Sequence, residues 1–134
     1  MIEALIPLSI AAAVQPRPGS IEQRARDPRL VIVFAPNRND PMLLRQQALL
    51  HQARSSLNDR DVHVIEVVGD SVAGAHDYAA AIRQRYAMSR TRFGVVLVGR
   101  DGGVKLRSAE AIPPRHLERT IDAMPMRQRE IAAR

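Results

Sequence analysis

The polar run Asn37, Arg38, Asn39 and Asp40, set between Pro36 and Pro41, is the group best placed in this sequence to do chemistry. It follows a short apolar run and precedes a helix-like pattern. That puts it where a strand ends and a helix begins, and the free N–H groups of a helix N-terminus favour an anion. Arg38, joined by Arg90 or Arg92 from a second loop (Ser89, Arg90, Thr91, Arg92), would add guanidinium donors for a carboxylate or phosphate. Asp40, however, suits the helix cap itself and would repel an anion. An Asx turn leading into a capped helix is the plainer reading of these four residues.

Glu66 is a second candidate, because a carboxylate inside an apolar strand can serve as a buried acid. Its nearest acidic neighbour along the strand, Asp70, is four residues on, roughly 13 Å away at about 3.3 Å per extended residue. The two do not form a hydrolytic pair, and a Glu held by Arg or His, or reaching the edge of a helix, is the plainer account of the residue. The histidines, His51, His63, His76 and His116, show no ligand spacing such as HxH or HxxxH, and His63 and Glu66 fall on opposite faces of a strand. GDSVAG (residues 69–74) lacks the Gly-Lys-Ser/Thr ending of a phosphate loop, and RDGG (100–103) is explained by a hairpin turn. No cofactor and no metal is expected. There is no cysteine, so thiol or disulfide chemistry by the chain's own residues is excluded.

With 134 residues, 46% of them hydrophobic and 25% charged, the chain suits one domain with a sizeable core. Aromatics are scarce, so Val, Ile, Leu, Met and Ala must build that core. Charge is uneven: residues 1–81 hold eight Arg against nine acidic residues, whereas residues 82–134 hold eleven Arg and Lys105 against five. The basic half would attract an anionic surface at low salt. It lacks the interleaved aromatics of single-strand binders and any recognition-helix motif, which argues against nucleic acid. Arg83, Arg85, Arg90, Arg92, Arg115, Arg119, Arg127 and Arg129 are read as solvated-face positions. No apolar run reaches the length of a membrane span.

These residues must be positioned by elements that the pattern also marks. Residues 4–14 form an apolar arm with the core length and small-residue end of a secretory signal, although Glu3 and the lack of an early Lys or Arg argue otherwise. A break at Pro16, Pro18, Gly19 and Ser20 leads into the domain. LVIVFA (30–35) reads as a strand buried on both faces. Asp40 and Pro41 start a helix running to about residue 57, and VHVIEVV (62–68) is a second strand. Residues 70–77 form a polar loop, and Asp77 caps a helix over 78–86. FGVVLV (93–98) and residues 104–107 make a hairpin. A last helix starts at Pro113 or Pro114, carries Leu117, Ile121 and Met124 on one stripe, and ends at Pro125 before a frayed polar tail. The expected fold is α/β and three-layered, a four-stranded mixed sheet in order 2-1-3-4 with helices on both faces, which is the minimal thioredoxin-like topology. The domain is placed at 21–130, after an arm or signal at 1–20 and before a tail at 131–134.

LVIVFAPNRNDP (30–41), VIEVVGD (64–70), FGVVLVGRDGGVKLRS (93–108) and IDAMPMRQRE (121–130) resemble segments of the family catalogued as domain of unknown function 4174. The resemblance implies a thioredoxin- or peroxiredoxin-like frame, found in small and often exported bacterial proteins and as a module in some animal extracellular-matrix proteins with sushi repeats. On that frame the redox pair would fall at residues 36–41, where no residue is a nucleophile, and the loop 89–92 lacks the proline that thioredoxins place beside it. The reading that follows is a non-catalytic binding or scaffolding domain with a protein partner, periplasmic or secreted, the alternative location being cytoplasmic. Two other readings stay open: an accessory enzyme using a bound cofactor or a partner's thiol, and an anionic-ligand domain at Asn37–Asp40.

Overall fold

The computed structural model describes residues 28–134. The expectations for the apolar arm, for the break at 16–20 and for where the domain starts lie outside the described residues. From there the elements are β1 (Arg29–Ala35), α1 (Pro41–Gln52), α2 (Arg54–Asp59), β2 (Val62–Val68), β3 (Ser71–Ala73), α3 (Ala79–Arg85), β4 (Gly94–Val98), β5 (Val104–Ser108), α4 (Pro114–Asp122) and α5 (Pro125–Ala132).

The β-branched runs form one mixed sheet in the order β3-β2-β1-β4-β5. β1 and β2 are parallel, as a helical crossover requires, and β4 runs antiparallel to β1. Five strands are present where four were expected. The extra strand comes from the stretch read as a polar loop: Gly69, at a φ of 57°, turns the chain back. Ser71, Val72 and Ala73 then pair with Val68, Val67 and Glu66. Packing of Val72 against the core stabilises this short edge.

Alternation along β1 explains why helices lie on both faces. Val31, Val33 and Ala35 point to one side, into a core shared with Leu43 of α1, Leu57 of α2, and Leu117 and Ile121 of α4. Leu30, Ile32 and Phe34 point to the other, where Ile82 of α3 and Tyr86 cover them. All seven residues of β1 are buried, so the central strand has no solvent face.

α1 begins as its sequence predicts, with Pro41 in its first turn and Asp40 accepting N–H bonds from Met42 and Leu43. The expected single helix breaks at Ala53, and α2 continues to Asp59. Arg54 at the break donates to the His51 carbonyl at 2.9 Å, a second donor beside the Ala53 N–H. Gln46, rather than an apolar residue, occupies part of the buried side. Its amide oxygen accepts from Ile112 N–H at 2.7 Å, and its Nε2 donates to the Ile112 carbonyl at 3.0 Å, anchoring the segment before α4.

The hairpin follows its turn signals: Gly102 sits at a φ of 83°, and Asp101 Oδ1 accepts from Gly103 N–H at 2.9 Å. α3 is preceded by Tyr78 as N-cap, with no side-chain capping bond, so Asp77 is not the cap. Pro125 ends α4 only to begin α5, with Met124 as its N-cap. Residues 125–132 are therefore helical where a frayed tail was expected. Ion pairs tie this segment down: Glu130 meets the buried Arg29, and Arg127, itself buried, reaches Asp59 and Asp122.

Candidate functional site

At the strand-to-helix corner the polar groups satisfy one another. Asn37 Oδ1 accepts from Asn39 N–H at 2.9 Å, closing the Asx turn. Asp40 Oδ1 takes Met42 N–H at 2.9 Å and Leu43 N–H at 3.3 Å, two of the donors an anion would use. Arg38 is exposed beside them.

The remaining candidates are drawn into local contacts of their own. Arg90 pairs with Asp70 at 3.0 Å, both side chains largely exposed. Thr91 accepts or donates a hydroxyl bond with Ser89 at 2.9 Å, and its N–H donates to the same Ser89 hydroxyl at 3.1 Å. Arg92 is exposed. Glu66, half-buried on β2, accepts from Gln47 Nε2 at 3.2 and 3.1 Å, so it reaches a helix, and its partner there is a neutral amide rather than an Arg or His.

Behind the corner lies a residue that the solvated-face reading misplaced. Arg83 is only 4% exposed. Its Nη1 donates to the Gly69 carbonyl at 2.6 Å and its Nη2 to the Ala35 carbonyl at 3.2 Å, joining the carboxyl ends of β2 and β1. Burial, and then the like charge of Arg90, lowers its pKa from the ordinary Arg value.

The opposite end of the sheet carries the densest charge in the described residues. Arg29, fully buried at the start of β1, donates to Glu130 at 2.9 Å and to the Arg60 carbonyl at 2.7 Å. Arg127, 3% exposed, reaches Asp59 at 3.0 Å, Asp122 at 3.4 Å and Glu130 at 3.6 Å. Arg60 grips Asp122 through two bonds of 2.9 Å, a bidentate fork. Arg100 spans Asp61 at 2.6 Å and Glu130 at 3.1 Å, and Arg134 reaches Asp59 at 2.8 Å. Arg29 holds the Glu130 carboxyl below its usual range, Arg60 does so for Asp122, and Arg127 for Asp59. These pairs join the two halves of the chain in both directions: Arg100, Arg127 and Arg134 reach Asp61 and Asp59, while Arg29 and Arg60 reach Glu130 and Asp122.

Beside this network, between the β4–β5 hairpin and the α4–α5 junction, opens a concavity of about 460 Å³. Nothing in the sequence pointed to it. Its walls come from segments read separately as a hairpin turn, an apolar helix stripe and a tail. Among the described residues no group of three or more His, Cys, Asp or Glu could hold a metal ion, and no helix is long and apolar enough to cross a membrane.

The sheet order, the two helical layers and the self-capped corner define a small α/β domain with a mixed sheet, carrying no cysteine at any position. The chain belongs to the family described as Domain of unknown function (DUF4174), whose model matches residues 20–130. It is 27% identical over 137 residues to sushi repeat-containing protein SRPX2 of Rattus norvegicus, covering 96% of this chain and 29% of that protein. To the protein of the same name in Homo sapiens it is 26% identical over 137 residues, covering 96% of this chain and 30% of that one. The chain thus spans about three-tenths of these relatives. Among solved structures, a thioredoxin-fold protein from Helicobacter pylori shares 12% identity and superposes with a TM-score of 0.49, over 72% of this chain and 68% of that one.

Proposed function

We propose that this chain is a non-catalytic binding and scaffolding domain of the cell envelope, on a thioredoxin-like frame whose redox position has become structural. The observation that carries the reading is the pair of hydrogen bonds that Met42 and Leu43 N–H donate to Asp40. A thiol at a helix N-terminus is activated by those donors and by the helix dipole. Here the donors are committed to a side chain of the same turn, and the chain has no thiol to place there. The same commitment argues against an anion at Asn37–Asp40. That the matching segment is a minor part of the sushi repeat-containing relatives suits a module that contributes contacts to a larger assembly.

The test is reciprocal affinity capture from envelope extract of the native host across a salt series, together with the N-terminal sequence of the mature protein. One partner retained at high salt, and recovering this chain when itself used as bait, is the expected result. Binding that disappears with salt reflects charge attraction alone and overturns the reading. So does finding the protein confined to the cytosol.

A further inference from the structure

We infer that the concavity between the hairpin and the α4–α5 junction is a binding site for a carboxylate joined to an apolar body. This goes beyond the scaffolding role and does not depend on it. The volume, about 460 Å³, falls in the range of small-molecule sites. Its lining divides by chemistry. Met124, Pro125 and Met126, with Ala123, supply apolar surface from the helix junction, while Lys105 and Arg129 bring cations to the rim.

Lys105 is brought there by an irregularity in the sheet. Leu106 pairs with Leu97, but Val104 pairs with Val98, which leaves Lys105 as an extra residue on β5. Such a bulge re-aims a side chain at the end of a ladder. The lysine stem lies over Gly99, where any Cβ would stand 2.7 Å from Lys105 Cε, so this position must lack a side chain for the lysine to lie as it does. Asp101 takes one ammonium donor at 2.9 Å, and an ammonium has three.

Arg129 is exposed on α5, and the one hydrogen bond of its side chain among the described residues is to the Pro125 carbonyl at 3.5 Å, the outer limit of such a bond. Its planar fork is open to a carboxylate. Deeper in the wall is Arg29, whose Nη atoms are engaged but whose buried Nε has no hydrogen-bond partner among the described residues. The carboxylates nearby are already drawn off: Glu130 to Arg29 and Arg100, Asp61 to Arg100, and Asp101 to Lys105 and Gly103 N–H. Apolar surface beside unfilled cationic donors selects an amphiphilic monoanion over inorganic phosphate, which would leave the methionines in contact with water. The same chemistry belongs to a free organic acid and to a polypeptide C-terminus ending in an apolar residue.

The full chain labelled at its methionine methyls reports on the site directly. Met124 and Met126 lie in it, and Met42, on α1, serves as the control. Five probes are titrated: sodium octanoate, 1-octanol, inorganic phosphate, and acetyl-Ala-Ala-Leu with a free and with an amidated C-terminus. The expected result is a saturable shift of Met124 and Met126, with Met42 unmoved, for octanoate or for the free-acid peptide. Whichever of these binds tighter identifies the source of the carboxylate. Octanol, phosphate and the amidated peptide bind at least fivefold more weakly. Arg129→Gln and Lys105→Gln, both at exposed positions, each weaken the favoured probe about fivefold. The inference is overturned if neither acid gives a saturable shift, if Met42 moves in parallel, or if both variants bind as the parent does.

Discussion

Arg29 and Glu130 stand 101 positions apart in the chain and meet through two hydrogen bonds, at 2.9 and 3.3 Å. The arginine is completely buried and the carboxylate about one-third exposed. A buried cation that loses its partner keeps its full desolvation penalty, which is why breaking such a pair costs about 3–5 kcal/mol when both groups are buried. With Glu130 partly solvated, Glu130→Gln is expected to cost about 2 kcal/mol in denaturant unfolding. Arg29→Met combined with Glu130→Leu should recover part of that loss. A double variant no more stable than Glu130→Gln alone would show that the pair is not the source of the effect.

Acid should act on the same end of the molecule. Glu130, Asp122 and Asp59 all have folded pKa values depressed by their arginine partners. A depressed carboxylate adds stability that is fully present above its unfolded pKa and is lost as pH falls through the folded one. The unfolding midpoint is therefore expected to be flat near neutrality and to fall below about pH 4.5, the ordinary carboxylate range. Glu130→Gln should make that slope shallower; an unchanged slope would place the acid-sensitive groups elsewhere.

Gln46 bridges α1 to both backbone groups of Ile112 from a fully buried position. Gln46→Leu preserves bulk but orphans a buried N–H and carbonyl, at about 1–3 kcal/mol each. The expected outcome is a loss of at least about 2 kcal/mol and faster amide exchange at Ile112. Exchange at Ile112 that stays at the parent rate would contradict it.

The corner makes a separate prediction. Asp40→Ala removes the cap and should cost about 1 kcal/mol. Because the freed Met42 and Leu43 N–H groups then face solvent, this variant should also acquire a phosphate-dependent rise in melting temperature that the parent lacks. A parent protein stabilised equally by phosphate would mean that the corner binds anions despite its cap.

What could be read beforehand divides along physical lines. Runs such as LVIVFA and FGVVLV announce buried strands because nothing in them tolerates water, and Asp40 before Pro41 announces a helix start from two neighbouring residues. The self-satisfied Asx turn was likewise local. β3 was missed because three residues that contain Ser and Ala have no periodicity to read. Arg83, Arg127 and α5 were misplaced for one reason: arginine is exposed by default, and its burial is decided by carbonyls and carboxylates far along the chain. Arg127 finds Asp59 across 68 positions, and no spacing rule links them. The concavity was invisible on the same ground, since a turn, a bulge and a helix junction meet there only in three dimensions.

The contact of Arg29 with Glu130 also joins the first strand to be synthesised to one of the last residues of the domain. While the chain is being synthesised, the central strand is complete long before the residue that neutralises its first side chain has left the ribosome. Until α5 arrives, β1 lacks the Glu130 carboxylate that Arg29 holds in the folded domain. The contact between the first residue of β1 and α5 can therefore form only once residue 130 has been made, and a chain halted before it would keep its strands but lack this tie.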